Sequence, residues 1–202
     1  MTFDSVEGKR QRTQFERFIQ WAESEGRDEL PTHLDTLLGP DQSLRLKWLK
    51  ERVQGEILEV GCSWGYVSAF VGARAGCDIN PRLVKLAQLL APQRSFRQGD
   101  ARALPYEDLS FDTVMLPEIL EHLPWEEVPI ALEEANRVAR HHILITTPDG
   151  ATDSAEATNP KHRYLMTRER AARITKHLLA LRFRTTFSSV GPFLCWEGRR
   201  EQ

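Results

Sequence analysis

Short apolar runs alternate with stretches of helical spacing from Glu56 onward. The runs are EILEV, AGCDI, SFRQ, FDTVML and HILIT, and helical segments such as PRLVKLAQLLA and WEEVPIALEEANRVAR lie between them. Short apolar runs are typical of buried strands, and strands that alternate with helices indicate a parallel sheet. The pattern therefore predicts an α/β fold with a mostly parallel sheet and helical crossovers.

The two ends of the chain depart from this alternation. Apolar residues recur at helical spacing at Phe15, Phe18, Ile19 and Ala22, and less regularly before Gly55, which predicts two leading helices. Near the other end, a helix around 167–181 precedes the runs FRTTFSSV and FLCWEG, which favour an antiparallel hairpin. We therefore expect one domain over 1–202, with an N-terminal helical cap at 1–54 and an α/β core at 55–202.

Composition indicates where in the cell the protein is found but says little about its binding partners. A chain of 202 residues is long enough to bury one core, and its net charge of −2 gives no global attraction to nucleic acid or anionic membranes. Cys62, Cys77 and Cys195 form no CxxC spacing, so they indicate neither a disulfide framework nor a thiolate zinc site. Because the sequence shows neither an apolar signal core nor a run of about 20 apolar residues, we expect a soluble cytoplasmic protein.

An acid followed by two glycines marks the end of the first predicted strand. Glu59 closes the strand, and Gly61 and Gly65 precede a helix that is predicted to begin near Tyr66. Glycines let backbone N–H groups approach a ligand, and open α/β sheets bind ligands at the carboxyl ends of their strands. This pattern predicts a cofactor loop. A βα turn without a ligand is the alternative.

Two further acids follow the next two predicted strands. Asp78 is suited to accept hydrogen bonds from ribose hydroxyls, and Asp100 with the N–H of Ala101 is suited to adenine. Helix capping by Asp78 and a turn at Asp100 are the alternatives. Because the carboxylate of Glu59 is unfavourable beside a pyrophosphate, the three acids favour a ligand with ammonium and sulfonium charges.

These motifs occur in the order found in class I S-adenosylmethionine (SAM)-dependent methyltransferases, which the chain resembles most strongly over Glu56 to Pro148. EVGCSWG resembles the cofactor loop of that family, GCDINP its ribose-binding strand end, and GDARALPYEDLSFDTV its adenine contact and fourth strand. The resemblance implies a Rossmann-like, doubly wound, seven-stranded sheet and SAM as cofactor, with S-adenosylhomocysteine (SAH) as product. The residues implied to bind the cofactor are Glu59, Gly61, Cys62, Ser63, Gly65, Asp78, Ile79, Asp100, Ala101 and Pro117.

The chain departs from the family pattern near three of these motifs. Ser63 replaces a common glycine, and the short segment between Gly65 and Asp78 leaves room only for a brief helix. His141 and His142 stand where the family has a Gly-Gly turn, so we expect them in a loop before the fifth strand. None of these changes removes a charged contact.

The segment PEILEH carries candidates for the chemistry. Glu118, Glu121 and His122 stand at i, i+3 and i+4, which predicts one face of a helical turn beyond the fourth strand. His122 is a candidate general base, with Glu118 as a second catalytic candidate. The ExxEH pattern also resembles metal-dependent small-RNA 2′-O-methyltransferases, which implies a divalent metal on Glu118, Glu121, His122 and His162. A metal site, a base or acceptor contact, and a loop histidine without chemistry all stay open.

The later part of the chain concentrates positive charge. Between Lys161 and Arg184 there are eight Lys or Arg residues and one acid, Glu169, which suits an anionic acceptor; a solvated helix is the alternative. Tyr164 is the main candidate for stacking on bases, so nucleic acid is the less favoured partner. Trp125 and the N-terminal helices with Trp21 are candidates for an apolar lid, or else for core.

We therefore expect a SAM-dependent methyltransferase that acts on oxygen of a small-molecule or sugar-containing acceptor, including glycans. A metal-assisted ribose 2′-O-methyltransferase acting on RNA and a non-catalytic SAM-binding module are the alternatives.

Overall fold

The computed structural model describes residues 40–152 and 160–201. The expected helix around 15–22 and Trp21 lie outside these residues. The helices are α1 (Pro40–Lys50), α2 (Tyr66–Val71), α3 (Pro81–Leu90), α4 (Val128–Val138) and α5 (Arg168–Ala180), with short 3₁₀ turns at Leu120–His122 and Trp125–Glu127. The strands are β1 (Ile57–Val60), β2 (Ala75–Asp78), β3 (Ser95–Gln98), β4 (Phe111–Pro117), β5 (Ala139–Pro148), β6 (Phe183–Val190) and β7 (Phe193–Arg200).

The seven strands form one sheet in the order β3-β2-β1-β4-β5-β7-β6. The first five strands run parallel, and β7 pairs antiparallel with both β5 and β6. The predicted α/β class, the mostly parallel seven-stranded sheet and the C-terminal hairpin are therefore confirmed. Because β1 lies next to both β2 and β4, the chain changes direction there, and a ligand site is expected at such a switch point.

Helices cover both faces of the sheet. On one face, Leu49 of α1 and Val67 of α2 pack with Met115 of β4 in a buried cluster. On the other, Leu132 of α4 and Ile174 of α5 pack with the central strands. This is the doubly wound arrangement that the resemblance implies. Among the described helices, none combines the length and the apolar character needed to cross a membrane.

Local details of two crossovers bear on the sequence predictions. Helix α2 spans only six residues, as the short segment between Gly65 and Asp78 predicts. The expected loop at His141 and His142 was wrong, because α4 ends at Val138 and β5 begins at once, which places both histidines inside the strand.

Candidate functional site

A cavity of about 780 Å³ opens at the carboxyl ends of β1, β2 and β4. The proposed cofactor residues that line it are Glu59, Gly61, Cys62, Ser63, Asp78, Ile79, Asp100, Ala101 and Pro117. Gly65 is not among the lining residues. It caps α2 with a φ of +84°, and a Cβ there would meet the ring of Phe96 at 2.8 Å. The close packing against Phe96 therefore requires a glycine at position 65 for structural reasons.

Glu59 lies at the inner wall of the cavity. Its side chain is almost fully buried and accepts a hydrogen bond from the hydroxyl of Ser68 on α2. Burial raises the pKa of Glu59 to about 8, and the hydrogen bond from Ser68 only partly opposes this rise. The carboxyl is therefore mostly protonated at neutral pH. A cationic ligand beside it would favour the ionised form.

Asp78 holds the glycine loop against the end of β2. One carboxylate oxygen accepts the N–H of Ser63 at 2.8 Å, and the other accepts the N–H of Asn80 at 2.8 Å. Ser63 has a φ of +47°, in the left-handed region that a glycine adopts without strain. The alternative of Asp78 as a helix cap is wrong, since the side chain of Asn80 caps α3.

Asp100 is engaged by its neighbour Arg102. The carboxylate accepts the Arg102 backbone N–H at 2.9 Å and pairs with both sides of the guanidinium, which also reaches Glu127 at 2.6 Å. The hydrogen bond from the Arg102 side chain holds the pKa of Asp100 below its usual range. A carboxylate offers about four lone-pair sites. Three donors from Arg102 therefore leave one lone-pair site open. Asp100 stabilises its own turn and can still accept a hydrogen bond from a ligand.

Arg45 of α1 is a cavity residue that the sequence did not predict. Its side chain is buried, its Nη2 donates to the hydroxyl of Tyr66 at 2.6 Å, and its Nε donates to the side-chain oxygen of Gln42 at 2.9 Å. A third contact joins its Nη1 to a carboxylate oxygen of Glu118 at 3.8 Å. Burial alone would lower the pKa of Arg45, but Tyr66 and Glu118 outweigh it and the pKa is raised. Arg45 therefore brings a fixed positive charge to the cavity.

Glu118 does not share a helical face with Glu121 and His122, so that prediction was wrong. Its φ is +57°, and the helical turn covers only Leu120–His122. The left-handed residue turns the Glu118 side chain toward the sheet, where it accepts the hydroxyl of Thr146 at 2.8 Å beside Arg45. The geometry gives Glu118 the role of positioning Arg45.

Glu121, His122 and His162 do converge. One potential ligand atom from each lies within 4.8 Å of the others, and the rings of His122 and His162 meet edge to face at 5.0 Å. Within the described residues, both carboxylate oxygens of the buried Glu121 have no hydrogen-bond partner. Burial, with Glu118 nearby, raises the pKa of Glu121 well above its usual range.

The ring of His122 contacts the backbone at Lys161. Its Nδ1 lies 3.3 Å from the carbonyl oxygen of Lys161. A hydrogen bond there requires the proton on Nδ1 and leaves the lone pair on Nε2. Partial burial of the ring lowers the pKa of His122, which keeps it neutral at pH 7.

Three of the eight basic residues between 161 and 184, all on α5, have partners outside the cavity. Arg168 pairs with Asp149 at 2.9 Å, and Arg173 pairs with Glu169 at 2.8 Å. Arg170 lies over the rings of Trp125 and Tyr164, which themselves meet edge to face. These contacts fit the solvated-helix alternative for α5. Lys161 and Arg163 differ, because both line the cavity.

Trp125 and Tyr164 pack partly against the main core cluster. The hydroxyl of Tyr164 donates to the carbonyl oxygen of Leu120 at 2.7 Å. Neither residue is among those that line the cavity. In the described part of the chain they therefore belong to the core edge.

Residues 58–144 match the family model described as a methyltransferase domain. A ubiquinone biosynthesis O-methyltransferase of Xanthomonas euvesicatoria is 35% identical over 118 residues, which cover 52% of this chain and 46% of that protein. A protein of Mycobacterium ulcerans named "Probable phthiotriol/phenolphthiotriol dimycocerosates methyltransferase 2" is 33% identical over 137 residues, 61% of this chain and 52% of that protein. The chain thus spans about half the length of these relatives.

The fold extends the likeness beyond the aligned segment. The magnesium protoporphyrin IX methyltransferase of Synechocystis, solved with bound SAM, superposes with a TM-score of 0.62 at 21% identity. The superposition covers 98% of this chain and 93% of that one. At this identity the comparison establishes a shared fold.

Proposed function

We propose that this chain, a member of the class I SAM-dependent methyltransferase family, binds SAM and transfers its methyl group to an oxygen of a small-molecule or sugar-containing acceptor. The observation that carries the proposal is the convergence of three strand-end acids, Glu59, Asp78 and Asp100, on one cavity. The O-methyltransferase named among the relatives supports oxygen as the methylated atom.

The residues present suit the charges of SAM along the length of the cavity. Glu59 is suited to the ammonium group, and the buried guanidinium of Arg45 to the carboxylate. Asp78 accepts two backbone N–H groups and keeps lone pairs for two ribose hydroxyls, since a carboxylate has about four lone-pair sites. Asp100 has the capacity for the adenine amino group. Each polar part of the cofactor thus has a partner of matching charge or hydrogen-bonding type.

His122 is the residue proposed to serve the acceptor. Bound SAM supplies a methyl carbon on a positively charged sulfur, and methyl transfer leaves SAH. A hydroxyl acceptor loses its proton in that reaction, and the proposed base is Nε2 of His122, whose lone pair stays available when Nδ1 carries the proton. Glu118 supports this arrangement by holding Arg45, so it acts as a positioning residue.

Calorimetric titration with SAH tests the cofactor site without a known acceptor. We expect SAH to bind the wild-type protein and Asp78→Asn to weaken binding at least about tenfold, because a charge-assisted acceptor is lost. Asp108→Asn is the matched control, since Asp108 is exposed and pairs with Arg137 outside the cavity. Absence of SAH binding to folded wild-type protein, or equal binding by Asp78→Asn, would overturn the proposal.

A metal-assisted reaction is the second candidate, and the unpartnered buried carboxylate of Glu121 beside two imidazoles favours it. One carboxylate and two imidazoles suit zinc, manganese or iron(II) better than magnesium. Calorimetry of chelator-treated protein with Mn²⁺ and Zn²⁺ tests this candidate. We expect micromolar binding that His162→Ala abolishes and that His141→Ala, on the exposed end of β5, leaves unchanged. If neither ion binds, the metal-assisted candidate is overturned and His122 stays the proposed base without a metal.

A further inference from the structure

Strand-end acids and a basic segment line different parts of the cavity. Asp78 and Asp100 lie at the ends of β2 and β3, on the side expected for the nucleoside. Lys161 and Arg163 line the other side, next to the turn that carries Glu121 and His122. An acceptor that reaches His122 must therefore pass close to this basic segment.

Backbone contacts fix the place of these cations. The N–H of Arg163 donates to the carbonyl oxygen of Glu121 at 2.8 Å, and the Lys161 carbonyl faces the ring of His122. The hydroxyl of Tyr164 adds a third link, to the carbonyl oxygen of Leu120. Two contacts from Lys161 and Arg163, and a third from the adjacent Tyr164, therefore hold this segment beside the Leu120–His122 turn.

Arg163 has no acidic partner in the described part of the chain. Glu118, an acid that lines the same cavity, faces Arg45 and Thr146 instead. The Arg163 side chain is exposed and makes no hydrogen bond or ion pair with the residues at 40–152 and 160–201. Its guanidinium is available for a ligand, and guanidinium groups bind carboxylate and phosphate through two parallel hydrogen bonds.

We propose that the methyl acceptor carries a carboxylate or phosphate group beside its methyl-accepting oxygen, and that Arg163 binds this anion. The inference rests on the proposed function, because it concerns the acceptor of the same cavity. It narrows the acceptor class from hydroxyl compounds in general to anionic ones. It also makes Arg163 a specificity-determining residue, with no part in cofactor binding.

Small aromatic probes of matched shape test the anion site. Phenyl phosphate, benzoate and neutral benzamide are titrated by NMR into SAH-loaded protein, after SAH binding has been confirmed by calorimetry. We expect at least one anion to bind about tenfold more tightly than benzamide, the scale of one charge-assisted hydrogen bond pair. Tighter binding of phenyl phosphate would indicate a phosphorylated acceptor, and tighter binding of benzoate a carboxylic acid.

Three variants separate the role of Arg163 from a general charge effect. Arg163→Ala should remove the preference for the anion, and Arg163→Lys should restore part of it. Arg184→Ala loses the same charge from an exposed position on β6 outside the cavity and should bind the probes as wild type does. All of these variants should bind SAH normally.

The inference is overturned if benzamide binds SAH-loaded protein as tightly as the anions, if neither anion binds, or if Arg163→Ala behaves like Arg184→Ala. Normal SAH binding in each of these cases would leave the proposed function intact. Failure of wild-type protein to bind SAH would instead overturn the proposed function itself.

Discussion

Gly61 and Gly72 share a left-handed backbone conformation but differ in their surroundings. Their φ angles are +73° and +89°. A Cβ on Gly61 would lie 1.8 Å from Cδ1 of Ile119, whereas the nearest atom to a Cβ on Gly72 is Nζ of Lys50 at 3.7 Å. Alanine at Gly72 therefore tests the left-handed backbone strain alone, whereas alanine at Gly61 tests that strain together with steric overlap.

We expect Gly72→Ala to lower the free energy of unfolding by about 1–2 kcal/mol, the cost of the left-handed conformation alone. Gly61→Ala should cost about 1–3 kcal/mol more, because Ile119 must move into the cavity. Urea unfolding of both variants measures the difference. Equal losses would show that Ile119 yields without cost.

The buried carboxyl of Glu59 should make stability depend on pH. Its folded-state pKa of about 8 lies above the ordinary value, so the native state holds a proton that the unfolded state releases above about pH 4.3. Stability therefore falls as pH rises, until pH passes the folded-state pKa. Glu59 should account for a loss of about 2 kcal/mol between pH 6.5 and 8.

Glu59→Gln, which resembles the protonated carboxyl, should reduce that loss and leave stability at pH 5 nearly unchanged. Urea unfolding at pH 5, 6.5 and 8 measures it. Glu121→Gln is the comparison. Burial raises the pKa of Glu121 as well, so this residue should contribute separately to the loss of stability at high pH. A decline in Glu59→Gln as steep as in wild type would contradict the assignment.

The capping of α3 is separable from the proposed cofactor contact of Asp78. The Asn80 side chain accepts the N–H of Arg82 at 3.0 Å, and only the backbone N–H of Asn80 contacts Asp78. Asn80→Ala should lower the free energy of unfolding by about 1 kcal/mol, and Asn80→Asp should retain stability because aspartate caps equally well. Urea unfolding tests both variants. Equal losses in the two would contradict a capping role.

The strands and their terminal acids were predictable because they depend on local patterns. Apolar runs located β1 to β5, and Glu59, Asp78 and Asp100 stand at strand ends that any parallel sheet brings to one edge. The turn at Glu118 was not predictable, because its left-handed backbone accompanies contacts with Arg45 and Thr146, which are distant in sequence. Local spacing alone suggested a regular helix there.

Arg45 shows the same limit for the cavity. In sequence, Arg45 is a basic residue that alternates with apolar residues of α1, as Lys47 does, and such basic residues usually lie on a solvated helix face. Its burial depends on Tyr66, from α2, and Glu118, beyond β4, which meet only in the folded sheet. Contacts between distant segments, rather than residue spacing, decided its role.

The cavity is lined both by α1 and by the edge of the sheet where the parallel strands end. Gln42 and Arg45 line it together with residues that follow β1, β2, β3 and β4. A ligand that fills it should therefore stabilise α1 and the strand-end loops together, because binding to the native state alone lowers the population of opened forms. The outer hairpin β6–β7 does not line the cavity and should respond less.

Hydrogen exchange with and without SAH measures this coupling. At a concentration 100 times Kd, SAH should add about 2.7 kcal/mol to global stability. Amides that exchange by local opening should gain protection in α1 and in the loops at Gly61–Gly65 and Asp100–Arg102, more than those of β6. Arg45→Met should reduce the added protection of α1 and keep that of the loops, because the guanidinium is the charged group of α1 that lines the cavity. Protection of the loops without α1 in wild type would contradict a role for Arg45 in binding the cofactor.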